Sequence, residues 1–293
     1  MHCLFLHRIL CQQMAIYGKI QKKRMEVFMR EFFESTAWPM QKPEPYGAFH
    51  LVFTFVGLAV AVLLAYLLRK TNEKQNRAVL LVTGVFLFAC EVYKQLFYYY
   101  VIGNGAYQWW IFPFQLCSVP MYFCVIAGLL KDGKLRSGIY NFMLAFNLMG
   151  GFMALTEPSG LVHEYWMLTL HAFIWHIALV FIGLYLGFSH RAGIKLSDYK
   201  GTVIVFAAMC VIAFIINVSL GEVSNHSVNM FFIGPEISPI VVFEDIAAKY
   251  GWYVNAPIYM ACVCLGAFIF YLPFTLYNRA IEKKKQSAVV VTE

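Results

Sequence analysis

The sequence predicts an all-α, polytopic membrane protein, built as a seven-transmembrane helix bundle. Of the 293 residues, 60% are hydrophobic and 13% are charged, whereas globular domains have about 45–50% apolar and about 25% charged residues. A soluble fold of this size has too little interior to bury so much apolar surface, but a bilayer is itself an apolar solvent. Several apolar runs also approach the length needed to cross a bilayer, and the loops between them alternate in charge.

A spanning helix needs about 20 mainly apolar residues. Residues 48–277 contain seven such segments and form the predicted membrane domain. The spans are predicted at residues 48–68, 78–101, 111–130, 137–155, 165–187, 201–220 and 253–277. An N-terminal segment, 1–47, precedes this domain, and a basic tail, 278–293, follows it.

The basic residues predict how the chain is inserted. They are concentrated in loops 69–77, 131–136 and 188–200 and in the tail, whereas the alternate loops hold almost none. Because Lys and Arg are retained on the cytoplasmic side, the N-terminus is predicted to face outward and the tail to lie inside. The pattern is that of a multi-pass protein with a defined orientation in its membrane. Basic residues confined to short loops indicate topology, and the sequence predicts no nucleic-acid partner.

The N-terminal segment conflicts with this topology, since it is basic and yet predicted to face outward. One hypothesis is that translation starts at Met25 or Met29. The remaining segment, near 26–38, is predicted to form an amphipathic helix at the membrane interface.

Polar residues inside the spans predict a site. In the predicted topology they lie in the outer half of the bilayer, at similar depth on most spans. Buried ionisable groups in membranes are costly and therefore indicate function. The residues predicted to line one outward-opening pocket are Glu91, Lys94, Gln115, Cys117, Asn147, His171, His176 and Asn217.

Cys117 and His171 are the candidates for chemistry. A thiol becomes a nucleophile when a base removes its proton, and His171 lies at matching depth on another span. His176, about 140° further round the same helix, is the weaker candidate for that base. The cysteines have no zinc-like spacing, so neither a metal site nor a cofactor is predicted.

Glu91 and Lys94 support a different function. Their i, i+3 spacing puts them on one helix face, where they can neutralise each other. Such a pair in a polar pocket is also typical of a transporter or of a small-solute binding protein. The residues alone leave open whether the chain is an enzyme, a transporter, or a non-catalytic receptor or scaffold.

The segment Phe112-Pro113-Phe114-Gln115-Leu116-Cys117-Ser118 resembles the bacterial YwaF family of integral membrane proteins. That family is similar to the eukaryotic transmembrane protein 164 acyltransferases. Further similarities are Leu170-His171, Asn217 before a loop with Asn229-Met230, and the closing Tyr271-Leu272-Pro273-Phe274, so the resemblance covers most of the chain.

This resemblance implies a lipid acyltransferase or acyl hydrolase acting on membrane lipids, with Cys117 as the acyl-accepting nucleophile and His171 as its base. Many family members have His where this chain has Gln115, so an acid–base role at that position is not expected here. Gln115 or Asn147 would instead polarise the carbonyl group.

Overall fold

The computed structural model of the chain describes residues 2–236 and 240–290, with side chains for residues 14, 17–236 and 240–281. Over these residues the chain is α-helical apart from turns and loops. The helices are α1 (His2–Ser35), α2 (Ala48–Leu68), α3 (Glu73–Phe97), α4 (Val119–Leu129), α5 (Lys134–Thr156), α6 (Trp166–Phe188), α7 (Tyr199–Leu220), α8 (Val241–Tyr250) and α9 (Trp252–Val290). A π-helical turn, Tyr98–Ile102, extends α3.

Among the described residues, six helices are long and apolar enough to cross a membrane: α2, α3, α5, α6, α7 and α9. With the shorter apolar helix α4 they form a polytopic bundle of about seven elements, which confirms the predicted fold class. The end of the bundle at which α2, α6 and α9 begin is called the predicted outer end below. The opposite end is called the predicted inner end.

The third predicted span, 111–130, differs from the structure. Helix α4 has 11 residues and begins only at Val119. Pro113 interrupts the run because it has no N–H to donate, whereas Pro120 fits the first turn of a helix. Residues 112–118 are therefore irregular, and non-helical backbone at membrane depth is tolerated only where protein surrounds it.

Helix α1 is longer than the amphipathic piece predicted near 26–38. Its C-terminal end packs on the bundle, where the buried ring of Phe33 contacts Tyr93 and Tyr100. The chain that follows is tied to the predicted outer end, since Trp166 N donates to Trp38 O at 3.0 Å. This part of the N-terminal segment is thus attached to the membrane domain.

Helix α5 is the centre of the bundle. Of its most apolar stretch 72% is buried inside the protein, against 17% for the peripheral α2. Gly151 and Gly183 let α5 and α6 approach closely, because a Cβ at Gly151 would lie 2.8 Å from the carbonyl oxygen of His176. The helices around α5 are α4, α6, α7 and α9.

A polar network joins the helices at the predicted inner end. Asn76 of α3 donates to the Tyr140 hydroxyl of α5 at 2.8 Å and accepts from the Tyr185 hydroxyl of α6 at 2.9 Å. The buried Arg136 pairs with Glu73 at 2.6 Å. Because these groups satisfy one another, the network fixes the register of α3, α5 and α6.

Candidate functional site

Cys117 lies in the irregular segment that leads into α4. Local hydrogen bonds shape this segment: Ser118 N donates to Gln115 O at 2.8 Å, and the Tyr122 hydroxyl donates to Pro113 O at 2.8 Å. The thiol is free and half-buried. The Ser118 side chain is within hydrogen-bonding range of it. The helix break before α4 thus places Cys117 on a non-helical segment within the bundle.

Trp175 connects Cys117 with His171. Its indole Nε1 donates to the carbonyl oxygen of Cys117 at 2.9 Å. One helical turn away, the His171 ring stacks on Trp175, with centroids 5.4 Å apart and planes 24° apart. Since Trp175 is only 3% exposed, the backbone of Cys117 and the ring of His171 contact the same buried indole.

His171 has a free nitrogen in this position. Its Nε2 is buried and has no hydrogen-bond partner among the described residues. The ring also interacts with the backbone of Cys90 on α3. A neutral imidazole that donates through one nitrogen keeps a lone pair on the other, so the ring is suited to accept a proton.

A buried ion pair lies beside the thiol. Lys94 Nζ is 2.9 Å from Glu91 Oε1, and both side chains are largely buried. Gln95 donates to the same carboxylate oxygen at 2.7 Å. The other oxygen, Glu91 Oε2, has no partner among the described residues. Lys94 and Glu91 both act electrostatically on Cys117.

Tyr107, in the loop after α3, completes this cluster. Its hydroxyl donates to Gln95 Oε1 at 2.8 Å, and Gln95 in turn donates to Glu91. Burial, and secondarily the charge of Glu91, raise the pKa of Tyr107 to about 12. The phenol therefore stays protonated and remains a donor at neutral pH.

Asn147 lies on the central helix α5. It shares a face of α5 with Tyr140, which bonds to Asn76, and with Met143, which contacts α4. Both of its amide atoms are buried and have no partner in the described part of the chain. Its side chain is thus free to bind a polar group within the bundle.

Gln115 and Asn217 bind backbone. Gln115 donates to Asn229 O at 3.2 Å and accepts from Phe231 N at 3.1 Å. Asn217 donates to Met230 O at 3.0 Å and accepts from Met230 N at 2.5 Å. In this conformation the two amides hold the buried turn Met230–Phe232, called the plug below, against the segment that carries Cys117.

The plug is strained. Phe231 and Phe232 have φ of 57° and 56°, a left-handed conformation that bulky residues rarely adopt. Each such residue costs about 1–3 kcal/mol, which the surrounding structure must offset. The Phe231 ring lies nearly parallel to Phe114 at 5.8 Å and to Phe206 at 6.3 Å.

His176 is placed apart from this cluster. Its Nδ1 lies 2.7 Å from the carbonyl oxygen of Ala172, one turn back along α6. Its own backbone faces Gly151 of α5. His171, in contrast, faces Cys90 of α3. The two histidines thus face different helices, as their 140° separation predicts.

An outer cleft of 380 Å³ lies on the other side of α6. It is lined by Met40, Gln41, Lys42, Pro43, Glu44, Phe49 and Trp166. Phe49 contacts both Trp166 and Phe173, so these α6 residues face α2. His171 precedes Phe173 by two residues and therefore lies about 160° away around the helix. The cleft does not coincide with the polar cluster.

Sequence reasoning missed Trp175, Gln95 and Tyr259. Trp175 is four residues after His171, a spacing that places both on one helix face. Tyr259 of α9 is buried and interacts electrostatically with Cys117. No spacing rule indicates that contact, because it depends on how α9 packs. Among the described residues no three His, Cys, Asp or Glu side chains converge as a metal site requires.

Comparison with known proteins identifies the family. The profile of the TMEM164 family matches residues 45–277, which is most of the chain. No curated protein and no solved structure matched the sequence. The chain therefore belongs to the TMEM164 family and is a multi-pass membrane protein, which confirms the resemblance to the transmembrane protein 164 proteins.

Proposed function

We propose that this member of the TMEM164 family is a lipid acyltransferase or acyl hydrolase that acts through Cys117 and His171. It works on membrane lipids, and no cofactor enters the reaction. We place it in the cytoplasmic membrane of a bacterium, with the N-terminus outside and the C-terminus inside. The site then opens toward the outer leaflet.

One observation carries the proposal: the Trp175 indole contacts both Cys117 and His171. A packing cysteine needs no such arrangement, and a packing histidine normally has its buried nitrogens bonded. His171 Nε2 is buried and has no partner among the described residues. A free proton acceptor on a ring that shares a contact residue with Cys117 favours nucleophilic catalysis over packing.

The reaction begins with a proton transfer. His171 removes the thiol proton as Cys117 sulfur attacks the ester carbonyl carbon of a lipid. The tetrahedral intermediate collapses, the C–O bond breaks, and His171 returns the proton to the leaving alcohol. The acyl group now forms a thioester with Cys117. Attack by another lipid hydroxyl, or by water, completes transfer or hydrolysis and restores the thiol.

Neighbouring groups support the charge changes. The Lys94 ammonium stabilises the thiolate and the oxyanion electrostatically, while Glu91 holds Lys94 in place. The amide of Gln115, two residues from Cys117, supplies a donor for the carbonyl oxygen once it is free. Asn147 and Asn217 line the walls of the pocket.

Acyl exchange in nanodiscs tests the proposal. The full chain is reconstituted with a phospholipid and a lysophospholipid whose acyl groups differ in mass, and exchanged lipids are quantified. Cys117→Ser and His171→Ala should each abolish exchange, with an expected loss of about 10²–10⁴-fold for the base. Cys262→Ser is the matched control, because Cys262 is free and exposed on α9. Full activity in either site variant, at normal protein level, would overturn the proposal.

A transporter remains the second candidate, because the buried carboxylate oxygen Glu91 Oε2 has no partner among the described residues. A cation or proton passing through the bundle would find an acceptor there. In that case Glu91→Gln abolishes flux into proteoliposomes, while Cys117→Ala is tolerated. The acyl-transfer proposal predicts the opposite dependence on Cys117.

A further inference from the structure

The plug contains two adjacent residues in the left-handed conformation, Phe231 and Phe232. Two of its three side chains are buried, with Met230 at 0% and Phe231 at 1% exposure. Asn217 holds it through two hydrogen bonds to the backbone of Met230. Gln115 holds it through one bond to Phe231 N and one to the carbonyl oxygen of the preceding Asn229. A segment with a strained backbone that a few polar bonds retain can adopt two conformations, one packed at the site and one moved out of it.

The Phe231 ring fills an apolar space three residues from Cys117. Phe114 and Phe206 bound this space, and the Phe206 ring continues into Phe146 of α5 at 4.7 Å. These rings form a row from the segment that carries Cys117 into the centre of the bundle. If the Phe231 ring left, it would open an apolar slot between Phe114 and Phe206, and Phe114 is three residues from Cys117 along the chain.

We propose that this Phe231 slot binds one acyl chain of a membrane lipid when the plug moves out. The surrounding bilayer supplies such chains, and they are apolar like the slot. The proposal rests on the proposed function for the role of the bound chain, whose ester would lie at Cys117. Binding itself requires only the slot and the moving plug.

Movement of the plug also bears on the two backbone hydrogen bonds that occupy the Gln115 side chain. In the closed conformation both polar atoms of its side chain bond to Asn229 O and Phe231 N. When an acyl chain displaces the plug, the amide is released close to Cys117. It then becomes available to the lipid ester carbonyl, so the arrival of substrate completes the site.

Photolabelling tests the slot. The full chain in phosphatidylcholine nanodiscs is irradiated with palmitic acid that carries a diazirine on its chain, and labelled residues are identified by mass spectrometry. Phe206 is 3% exposed and faces the slot, whereas Ile204 on the same helix is 59% exposed and faces the lipid. The measured quantity is the ratio of labelling at Phe206 to labelling at Ile204.

Variants at Phe231 and Phe232 test whether the labelling ratio depends on the Phe231 ring. Phe231→Gly removes the ring, and glycine tolerates the left-handed backbone, so the ratio should rise several-fold. Phe231→Ala is a second variant that also removes the ring, for use if glycine impairs folding. Phe232→Gly keeps the Phe231 ring and relieves strain, so the ratio should fall or stay level. Phe55→Ala, on the lipid-facing side of α2, is the matched control and should leave it unchanged.

The outcomes separate the two proposals. Labelling at Phe206 that rises in Phe231→Gly and persists in Cys117→Ser supports the slot, whether or not the chain transfers acyl groups. Labelling confined to Ile204 and other lipid-facing residues in both Phe231 variants would overturn it. Loss of acyl exchange in Cys117→Ser bears on the proposed function alone.

Discussion

Replacing Trp175 with phenylalanine tests the link between Cys117 and His171. Phenylalanine retains an aromatic ring for stacking on His171 but removes the N–H that donates to Cys117 O at 2.9 Å. A buried carbonyl oxygen left without its donor costs about 1–3 kcal/mol. For a chain of this size each kcal/mol corresponds to about 2–4 °C in Tm, so Tm should fall by about 2–12 °C.

The assay is thermal unfolding of the purified chain in nanodiscs, followed by acyl exchange on the same samples. Trp166→Phe is the matched control, since Trp166 lies on the same helix but faces the outer cleft. Trp175→Phe should lower both Tm and exchange, because the segment carrying Cys117 loses its anchor on α6. Equal Tm and equal exchange in the two variants would refute the inferred role of Trp175.

Three further predictions concern stability and pH. Asn217→Ala leaves the buried N–H of Met230 without its acceptor and should cost about 1–3 kcal/mol. Adding Gln115→Ala should cost less than in the wild-type background, because both amides hold one segment. Glu91→Gln leaves the Lys94 ammonium buried without its carboxylate and should lower stability by about 3–5 kcal/mol. The double variant Glu91→Gln/Lys94→Met should regain most of that stability. Burial, and secondarily the charge of Lys42, lower the pKa of His163 in the folded chain below 6.5. As pH falls, the unfolded chain therefore takes up this proton before the folded chain does, and stability decreases below about pH 6.5. Each is measured as Tm, the last between about pH 8 and pH 5.

Each of these predictions has a contradicting result. Strict additivity of the two amide variants would mean that they do not hold the same segment. A Glu91/Lys94 double variant as unstable as the single one would show that the lost charge pairing is not the cause. For His163, the pH dependence should shrink in His163→Phe, and an unchanged dependence would assign it to other groups.

Hydropathy and loop charge were sufficient to predict the all-helical, multi-pass fold, because chain length and apolar content control membrane insertion directly. They failed to locate the start of α4. Residues 111–118 are as apolar as a helix, and hydropathy does not register that Pro113 breaks it. The span length was therefore overestimated where the backbone is held by tertiary contacts such as the Tyr122 hydroxyl on Pro113 O.

The residue types of the candidate site can be picked out from the sequence, whereas the connections between them cannot. Rarity of polar groups in apolar spans picks out Glu91, Cys117 and His171 from sequence alone. The bond from Trp175 to Cys117 and the clamp of Gln115 on the plug join residues far apart in the chain. Such contacts depend on helix packing, which no spacing rule encodes.

The most direct test of the central claim is the mass of Cys117 after exposure to substrate. The full chain is incubated in nanodiscs with a phospholipid bearing deuterated acyl chains, digested and analysed by mass spectrometry. Acyl transfer through Cys117 predicts one deuterated acyl group on the peptide containing Cys117, removed by hydroxylamine as a thioester would be and absent in His171→Ala. An unmodified Cys117 in a chain that still exchanges acyl groups would contradict it.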